Sequence, residues 1–246
     1  MLIAILTDIH GNREALEACL AHARRNEIDR YVFLGDYVGY GADPGFAVDT
    51  AMAYAERGAI TLLGNHDAAA AGASEHMNDM ATAAIEWTRT RLDATQLDFL
   101  RTRPLTAEES DRLYVHASAA APGSWDYVTD PRSAGRSLQA TRARITFCGH
   151  VHVPALFHMS VTGKIAEFAP TDGVAIPLTP QRRWLVVIGA VGQPRDRNPA
   201  ACYAVYDDRA GTLTYLRVPY DVETAARKIA AAGLPSFLAA RLAWGR

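Results

Sequence analysis

Carboxylate, imidazole and amide side chains recur in this sequence in short polar segments that directly follow apolar runs. These side chains belong to Asp8, His10, Asp36, Asn65, His66, His116, His150 and His152. Carboxylate oxygens, imidazole nitrogens and an amide oxygen are ligands that suit Mn, Fe, Zn or Co better than Mg alone. The set contains no thiol, which argues against a structural zinc finger. Even seven of these eight side chains, together with solvent, are too many ligands for one ion and about right for two, so the residue types predict two divalent metal ions.

Each of these residues also has a purely structural explanation. A single Asp or Asn at a strand–loop junction is usually a cap or a turn former, and a single histidine is more often a hydrogen-bonded structural residue. However, five of the eight histidines follow apolar runs beside Gly, Asp or Asn, which indicates a common cause. Of the other three, His22 and His158 are interpreted as structural, whereas His76 could line the site from a polar loop.

The segment Gly149-His150-Val151-His152 places two imidazoles one residue apart. Alternate residues of a regular strand point to opposite faces, so a strand would separate the two rings. A turn entered through Gly149 could direct both rings at one point, because glycine tolerates backbone angles that other residues avoid.

Short apolar runs alternate with helical patterns at the start of the chain. Strands are predicted at residues 2–6, 31–34 and 60–63, with helices at 13–25 and 44–57 between them. This β-α-β-α-β order predicts a parallel sheet with right-handed crossovers. Ligands of open α/β sheets bind beyond the carboxyl ends of the strands, which is where the polar residues lie.

The remaining elements are predicted from the same kinds of pattern. Residues 68–80 favour a long loop near the mouth of the site, residues 80–101 a helix, and residues 113–115 and 145–148 two more strands. From about residue 153, short segments between Gly, Pro and Asp turns predict a second, more antiparallel sheet packed on the first. Its strands are expected at 155–159, 165–168, 184–188, 202–206 and 213–218, followed by helices at 222–232 and 235–242. No linker or internal repeat divides the chain, so a single domain over residues 1–246 is expected.

The composition is that of a soluble globular protein. Of the 246 residues, 49% are hydrophobic, and the net charge of −2 offers neither a basic nucleic-acid groove nor a polybasic membrane patch. Three cysteines without CxxC spacing make a disulfide framework improbable, which favours a reducing cytoplasm. The apolar start of the chain has no basic leader or cleavage site and is interpreted as a buried strand. The oligomeric state stays open.

Taken together, the motifs resemble those of the calcineurin-like metallophosphoesterase superfamily. They are Asp8-Ile9-His10, Gly35-Asp36, Gly64-Asn65-His66-Asp67, His116 and Gly149-His150-Val151-His152, in that family's order. The stretches GDYVGYGADP and VGQPRD are further similar to a small prokaryotic phosphoesterase subgroup of comparable length.

The resemblance implies a four-layer α/β-β/α sandwich of two mixed sheets flanked by helices, with a dinuclear metal centre. One ion would be held by Asp8, His10, Asp36 and His152, and the other by Asp36, Asn65, His116 and His150. Asp36 would bridge the two ions, and His66 would be the catalytic histidine near the leaving group. A hydroxide shared by two metals can attack a phosphoester in line, while the ions stabilise the entering and leaving oxygens.

The chain departs from the family pattern in the segment after Asp36. Members that dephosphorylate proteins read GDYVDRG where this chain has Gly39, Tyr40 and Gly41. The missing Asp would orient the catalytic histidine and the missing Arg would grip phosphate, whereas tyrosine carries no charge and no bidentate fork. Three groups remain open as the partner of His66: Asp67, Asp43 or a backbone carbonyl. Asn12, Tyr40 and Arg195 are candidate substrate-binding residues.

Several functions compete on these grounds. The favoured one is hydrolysis of a small phosphodiester, phosphomonoester or nucleotide by an enzyme with two metal ions. A protein phosphatase or a dinucleoside polyphosphate hydrolase is the first alternative, weakened by Tyr40. A non-catalytic metal-binding scaffold is the second, weakened because all eight ligand and catalytic positions are filled.

Overall fold

The computed structural model describes residues 1–74 and 77–246, which form a mixed α/β structure. The strands are β1 Leu2–Leu6, β2 Arg30–Phe33, β3 Ile60–Thr61, β4 Thr106–Glu109, β5 Arg112–Val115, β6 Ile145–Cys148, β7 Ala155–Met159, β8 Ile165–Phe168, β9 Ile176–Pro177, β10 Arg183–Val187, β11 Ala201–Asp207 and β12 Thr212–Val218. The helices are α1 Arg13–Arg25, α2 Pro44–Glu56, α3 Asn65–Ala70, α4 Asp79–Arg89, α5 Ala94–Arg101, α6 Pro131–Gln139, α7 Val222–Ala231 and α8 Ser236–Trp244, with a short 3-10 helix at Pro122–Ser124.

The strands form two six-stranded mixed sheets. The first has the order β3-β2-β1-β11-β12-β9, and the second has the order β4-β5-β6-β10-β7-β8. In the first sheet β1, β2 and β3 are parallel, and in the second β5, β6 and β10 are parallel. The other strands of both sheets run antiparallel to their neighbours. Each sheet therefore has a parallel group whose carboxyl ends share one edge.

Alternation along the strands divides the apolar side chains among separate cores. Ile3 and Ile5 of β1 enter the core that also contains Phe147 and Val186 of the second sheet. Their neighbour Leu6 faces the opposite side, where it packs against α1 and α2. Since successive side chains of a strand point to opposite faces, one core lies between the sheets and the others lie beneath the helices.

The outer helical layers differ in size. On the first sheet, α1 and α2 contribute buried residues such as Leu16 and Val48 to a large core. On the second sheet, α6 packs Ala134 and Leu138 against Leu185 and neighbouring side chains of the strands. Two mixed sheets flanked by helices confirm the fold class expected from the sequence.

The expected division of the strands between the sheets is wrong. The late strands β11 and β12 complete the first sheet, because β11 pairs antiparallel with β1. The earlier strands β5 and β6 belong to the second sheet. Chain order does not determine which strands pair, because pairing depends on contacts between residues far apart in sequence.

Three local predictions also need correction. The loop expected at 68–80 is interrupted at both ends, since α3 extends to Ala70 through an alanine run and α4 begins at Asp79. The helix expected at 80–101 is two helices, because Asp93 caps a new one in a capping box with Gln96. Helix α6 and strands β4 and β9 were not predicted from the sequence, although Asp130 before a proline is an N-terminal signal for α6.

Two further findings concern His76 and the question of a membrane-spanning helix. His76, which was considered as a residue lining the site, lies outside the described residues. Among residues 1–74 and 77–246, none of the helices combines the length and the apolar character that a membrane crossing requires.

Candidate metal centre

The candidate ligands follow the carboxyl ends of parallel strands from both sheets. They are Asp8 and His10 after β1, Asp36 after β2, Asn65 and His66 after β3, His116 after β5, and His150 and His152 after β6. All are buried except Asn65, which is half-buried. The two parallel groups therefore present these side chains to one region where the sheet edges meet.

One group of ligand atoms gathers around Asp8. Its Oδ1 atom lies 3.1 Å from Nε2 of His152 and 3.7 Å from Nε2 of His10. The two imidazole Nε2 atoms are 3.1 Å apart. Three donor atoms from two distant segments of the chain thus converge within the distance range of a single metal site.

A second group gathers around His116. Its Nε2 atom lies 3.2 Å from Oδ1 of Asn65 and 3.2 Å from Nδ1 of His150. Oδ2 of Asp36 is 3.4 Å from the same nitrogen and 3.7 Å from Nε2 of His10 in the first group. Asp36 therefore stands between the two groups.

The imidazole rings are oriented by backbone carbonyl groups. Nδ1 of His10 donates to the carbonyl oxygen of Val38 at 2.9 Å, and Nδ1 of His152 donates to that of Gln193 at 2.7 Å. The ring of His116 is held in the same way, because its Nδ1 atom donates to a backbone carbonyl oxygen at 3.0 Å. A proton on Nδ1 leaves the Nε2 lone pair free, which is the usual arrangement for a histidine that binds a metal through Nε2.

These orientations provide a test of whether the residues fit a metal ion. With both Nδ1 atoms donating, the neutral rings of His10 and His152 face each other with two lone pairs at 3.1 Å. Oδ1 of Asp8, completely buried, accepts no hydrogen bond within the described part of the chain. Converging acceptors without a donor need a cation between them. The site residues therefore fit divalent metal ions.

Burial keeps several of these rings neutral. It lowers the pKa of His10 well below its usual value and lowers that of His152. Burial likewise lowers the pKa of His66 to about 4 and that of His150 to about 3. Neutral imidazoles are the form in which histidine binds metals.

The carboxylates stay ionised, and one histidine stays charged beside them. Burial opposes ionisation of Asp36 and Asp8, but neighbouring imidazoles, first His116 for Asp36 and His152 for Asp8, hold both pKa values below their usual range. Burial alone would lower the pKa of His116, yet the charge of Asp36 and its hydrogen bond raise it to about 9. In the metal-free protein the proton on His116 thus partly replaces a cation.

The backbone of the site adopts left-handed conformations at residues other than glycine. Among the described residues, ten non-glycine residues have a positive φ, and six of these belong to the site. The six are Asp8, His10, Asp36, Tyr40, His150 and His152, with φ between 51° and 67°. Such conformations cost energy outside glycine, and they concentrate at functional sites.

The Gly149-His150-Val151-His152 segment directs its two rings to different groups, and the histidines themselves make the turn. His150 and His152 have φ of 67° and 64°, whereas the φ of Gly149 is not in the left-handed region. Glycine is needed there for close packing, because a Cβ at Gly149 would lie 2.1 Å from Oγ1 of Thr7 and 2.5 Å from Oδ2 of Asp8. The suggested role of Gly149 as the turning residue is therefore wrong.

His66 lies beside the centre without an orienting hydrogen bond. Its Nδ1 atom is buried and has no hydrogen-bond partner among the described residues. The ring packs instead against those of Tyr40 and His10, with centroids 4.5 and 4.8 Å away. On its other side is Gly39, where a Cβ would come within 2.3 Å of Nδ1. His66 also lies close enough to His10 and Asp36 to share a metal with them.

The acidic residues proposed to orient His66 have other partners. The buried carboxylate of Asp67 accepts hydrogen bonds from the backbone N–H groups of Asp36, Tyr37, Val38 and Gly64 at 2.7–3.3 Å. Asp43 pairs with Lys228, away from the ring. Asp67 thus clamps the loop after β2, in the sense that its carboxylate holds the backbone N–H groups of three residues of that loop. This role was not predicted from the sequence, although Asp67 is adjacent to His66.

The three candidate substrate-binding residues are placed differently. Asn12 caps α1, and its amide also donates to the Gly192 carbonyl at 2.8 Å, so its polar atoms are engaged within the protein. Tyr40 is buried, with its ring 4.6 Å from that of His10. Arg195 is half-buried, and its guanidinium carbon lies 5.7 Å from the centroid of the Tyr40 ring. The structure brings Tyr40 and Arg195 to the metal centre, while Asn12 has a structural role.

Two side chains at the site were not found from the sequence. Gln193 is buried; its carbonyl holds His152, and its side-chain oxygen accepts from Arg195 at 2.9 Å. Tyr127 is 54% exposed and stacks on His150 with ring centroids 4.2 Å apart. In the segment VGQPRD only Arg195 was a candidate site residue, and an isolated tyrosine such as Tyr127 carries no signal in the sequence.

Comparison with known proteins gives consistent matches. Residues 1–210 match the family model of the calcineurin-like phosphoesterase superfamily domain. An uncharacterized protein of Methanocaldococcus jannaschii is 33% identical over 256 residues, covering 100% of this chain and 98% of that protein. The crystal structure of a metallophosphoesterase from Sphaerobacter thermophilus has a TM-score of 0.88 at 35% identity, covering 100% of this chain and 99% of that one.

A third match covers a smaller part of the chain. The symmetrical bis(5'-nucleosyl)-tetraphosphatase of Bordetella pertussis is 34% identical over 147 residues, which is 55% of this chain and 49% of that protein.

Proposed function

The chain belongs to the calcineurin-like phosphoesterase superfamily, as its motifs suggested, and we propose that it hydrolyses a small phosphate ester with two divalent metal ions. The substrate class is a phosphodiester, a phosphomonoester or a nucleotide. Manganese, iron, zinc and cobalt all suit the nitrogen and oxygen ligands of the site.

The position of Asp36 carries this proposal. Its Oδ2 atom lies within 3.7 Å of a ligand nitrogen in each of the two groups, at His10 and at His116. One ion would be bound by Asp8, His10, Asp36 and His152, and the other by Asp36, Asn65, His116 and His150. When bound, two such ions activate a shared water and neutralise charge on the phosphoryl oxygens. The carboxylate of Asp36 would keep the ions close despite their repulsion.

The residues around the centre would position the substrate. Because burial keeps the ring of His66 neutral near pH 7, we assign it the role of an N–H donor to the leaving oxygen. The rings of Tyr40 and His10 hold it there by packing. Arg195, whose guanidinium carbon lies 5.7 Å from the centroid of the Tyr40 ring, would bind the phosphate group of the substrate. This arginine would supply the charge that the segment after Asp36 lacks.

A second candidate substrate is a dinucleoside polyphosphate. The similarity to the bis(5'-nucleosyl)-tetraphosphatase supports it over about half of the chain. Gly39 and Tyr40 argue against phosphoproteins as substrates, because tyrosine lacks the planar, positively charged guanidinium group that binds a phosphoryl group through two hydrogen bonds.

Two further expectations accompany the proposal. A single domain over residues 1–246 is supported by β11 and β12, which complete the sheet begun by β1. A cytoplasmic location stays a prediction, in keeping with three free, buried cysteines.

A substrate panel with metal analysis tests the proposed function. Metal-stripped protein is reloaded with Mn²⁺ and assayed with bis-p-nitrophenyl phosphate, p-nitrophenyl phosphate, cyclic nucleotides, dinucleoside polyphosphates and a phosphopeptide. We expect two metal ions per chain, hydrolysis of at least one small ester, and a much lower kcat/KM for the phosphopeptide.

The variant Asp36→Asn sharpens this test. It should weaken the binding of both ions, because one negative charge shared by both is removed. Asp98→Asn is the matched control, since Asp98 is exposed on α5 and far from the ligand groups. One tightly bound ion that Asp36→Asn leaves unchanged would contradict the dinuclear centre.

A further inference from the structure

Two aromatic side chains lie against histidines of the second ligand group. Trp125 meets the ring of His116 edge to face, with centroids 5.8 Å apart and an interplanar angle of 73°. Tyr127 stacks on the ring of His150, with centroids 4.2 Å apart and an angle of 27°. Because His116 and His150 belong to the same group of ligand atoms, Trp125 and Tyr127 form an aromatic wall on one side of the metal centre.

The backbone that carries the aromatic wall is anchored and locally strained. The wall follows the 3-10 helix Pro122–Ser124, and Val128 holds its other end in the core beneath α6. Trp125 has a left-handed φ of 56°, which is unfavourable for a bulky side chain. Its Nε1 atom is buried and has no hydrogen-bond partner among the described residues. Two unfavourable features at one residue beside metal ligands indicate that this segment is positioned for the site.

Tyr127 is open to solvent, in contrast to the buried Tyr40 on the other ligand group. It is 54% exposed, although His150 covers one face of its ring. The exposed surface therefore includes the opposite face, which is called its outer face below. An uncovered aromatic face beside a metal ligand provides a surface for a planar group, because stacked rings stabilise each other beyond the burial of apolar area.

We propose that Tyr127 is a substrate-binding residue whose outer face stacks on the nucleobase of a nucleotide, while the phosphate group of that nucleotide lies at the metal ions. This inference rests on the proposed function and narrows its substrate class, because a nucleotide is the one of the three classes that always carries a planar ring. Every base has a π face, so stacking selects nucleotides without distinguishing among their bases. Trp125 supports the wall and does not contact the base.

Binding of analogues that are not hydrolysed tests this role without turnover. The Mn²⁺-loaded protein is titrated by calorimetry with the methylenephosphonate analogue of adenosine monophosphate and with that of ribose phosphate, which lacks the base. Removal of an aromatic residue that stacks on a base weakens binding roughly 5- to 150-fold. The parent should therefore prefer the adenosine analogue by a factor in this range. Tyr127→Ala should reduce that preference to about threefold or less.

Three further variants separate stacking from other properties of the tyrosine. Tyr127→Phe keeps the ring and should keep the preference, whereas Tyr127→Leu keeps apolar area without the π face and should keep only part of it. Phe168→Ala is the matched control, because Phe168 is 47% exposed on β8 and lines a cavity with Ile176 and Pro177 of β9, at the far edge of the first sheet. It should bind both analogues as the parent does.

Metal analysis of each variant shows whether Tyr127 acts through His150 instead. In that case Tyr127→Ala would lose metal, and the affinities for both analogues would fall by the same factor. Such an equal loss would overturn the proposal, and so would a parent that binds the two analogues equally or binds neither.

Hydrolysis of bis-p-nitrophenyl phosphate by the parent keeps this result separate from the proposed function. An active parent without a preference for the base would refute the role of Tyr127 alone. An inactive parent whose preference for the base depends on Tyr127 would count against hydrolysis and would still support the stacking site.

Discussion

Replacing Asp67 by asparagine should destabilise the loop that carries Asp36 and so lower the free energy of unfolding of the protein. It should have little direct effect on His66. Oδ1 of Asp67 accepts from the N–H groups of Tyr37 and Val38, and Oδ2 accepts from those of Asp36 and Gly64. Asparagine keeps one oxygen and turns an NH2 group towards the other two donors, which then lose their acceptor.

The expected magnitude follows from the number of lost hydrogen bonds. Each buried polar group left unpaired costs about 1–3 kcal/mol, so two cost roughly 2–6 kcal/mol. A protein of this size has a free energy of unfolding of about 5–15 kcal/mol. Since each kcal/mol lowers the Tm by about 2–4 °C in a chain this long, the variant should melt roughly 4–24 °C below the parent.

Denaturant unfolding of Asp67→Asn, with Asp43→Asn as the control, measures this effect. Asp43 pairs with Lys228 near the surface, and such pairs contribute less than about 1 kcal/mol. If Asp67→Asn were as stable as Asp43→Asn but had lost activity, the clamp would be refuted, and an orienting role of Asp67 towards His66 would be the better explanation.

Three other changes have defined outcomes. His66→Ala should keep its metal content but lose roughly 10²–10⁴-fold in kcat for alkyl esters and much less for p-nitrophenyl esters, as measured with metal analysis alongside; no loss for either would remove it from the mechanism. Gly39→Ala should lower activity, because the new Cβ would lie 2.3 Å from Nδ1 of His66 at a residue with φ of 85°; a fully active variant would show that the ring position is unimportant. Metal binding at pH 7.5 should release a proton, because His116, with its pKa raised to about 9, is charged in the metal-free protein and must be neutral as a ligand. Metal affinity should accordingly fall as the pH decreases below 9; calorimetry in buffers of different ionisation enthalpy would show this, and buffer-independent heats would contradict it.

Much of the candidate site could be predicted because its signals are local. Asp8, Asp36 and His116 each lie within two residues of the end of a short apolar run, and β1, β2 and β5 end at or near those positions. The exact bounds of α1 follow from its composition and from the cap at Asn12. A parallel arrangement then brings such strand ends to one edge, so the type of site follows from sequence order and residue type alone.

The groups that orient the site could not be predicted in the same way. The carbonyls of Val38 and Gln193, which hold His10 and His152, belong to ordinary peptide units and leave no trace in residue type. Asp67, Asp43 and a backbone carbonyl were the candidate partners of His66, whereas its ring packs against that of Tyr40.

The sequence by itself indicated most helices and strands, the candidate ligand set and the kind of metal that set suits, because periodicity and side-chain chemistry are properties of short segments. Only the tertiary structure decided that β11 joins β1, that Asp67 clamps the loop after β2, and that Tyr127 stacks on His150. These contacts join residues up to about 200 positions apart along the chain, such as Leu2 of β1 and Asp207 of β11. Each depends on the packing of whole sheets and helices, since apolar burial is non-directional and many pairings satisfy the same local pattern.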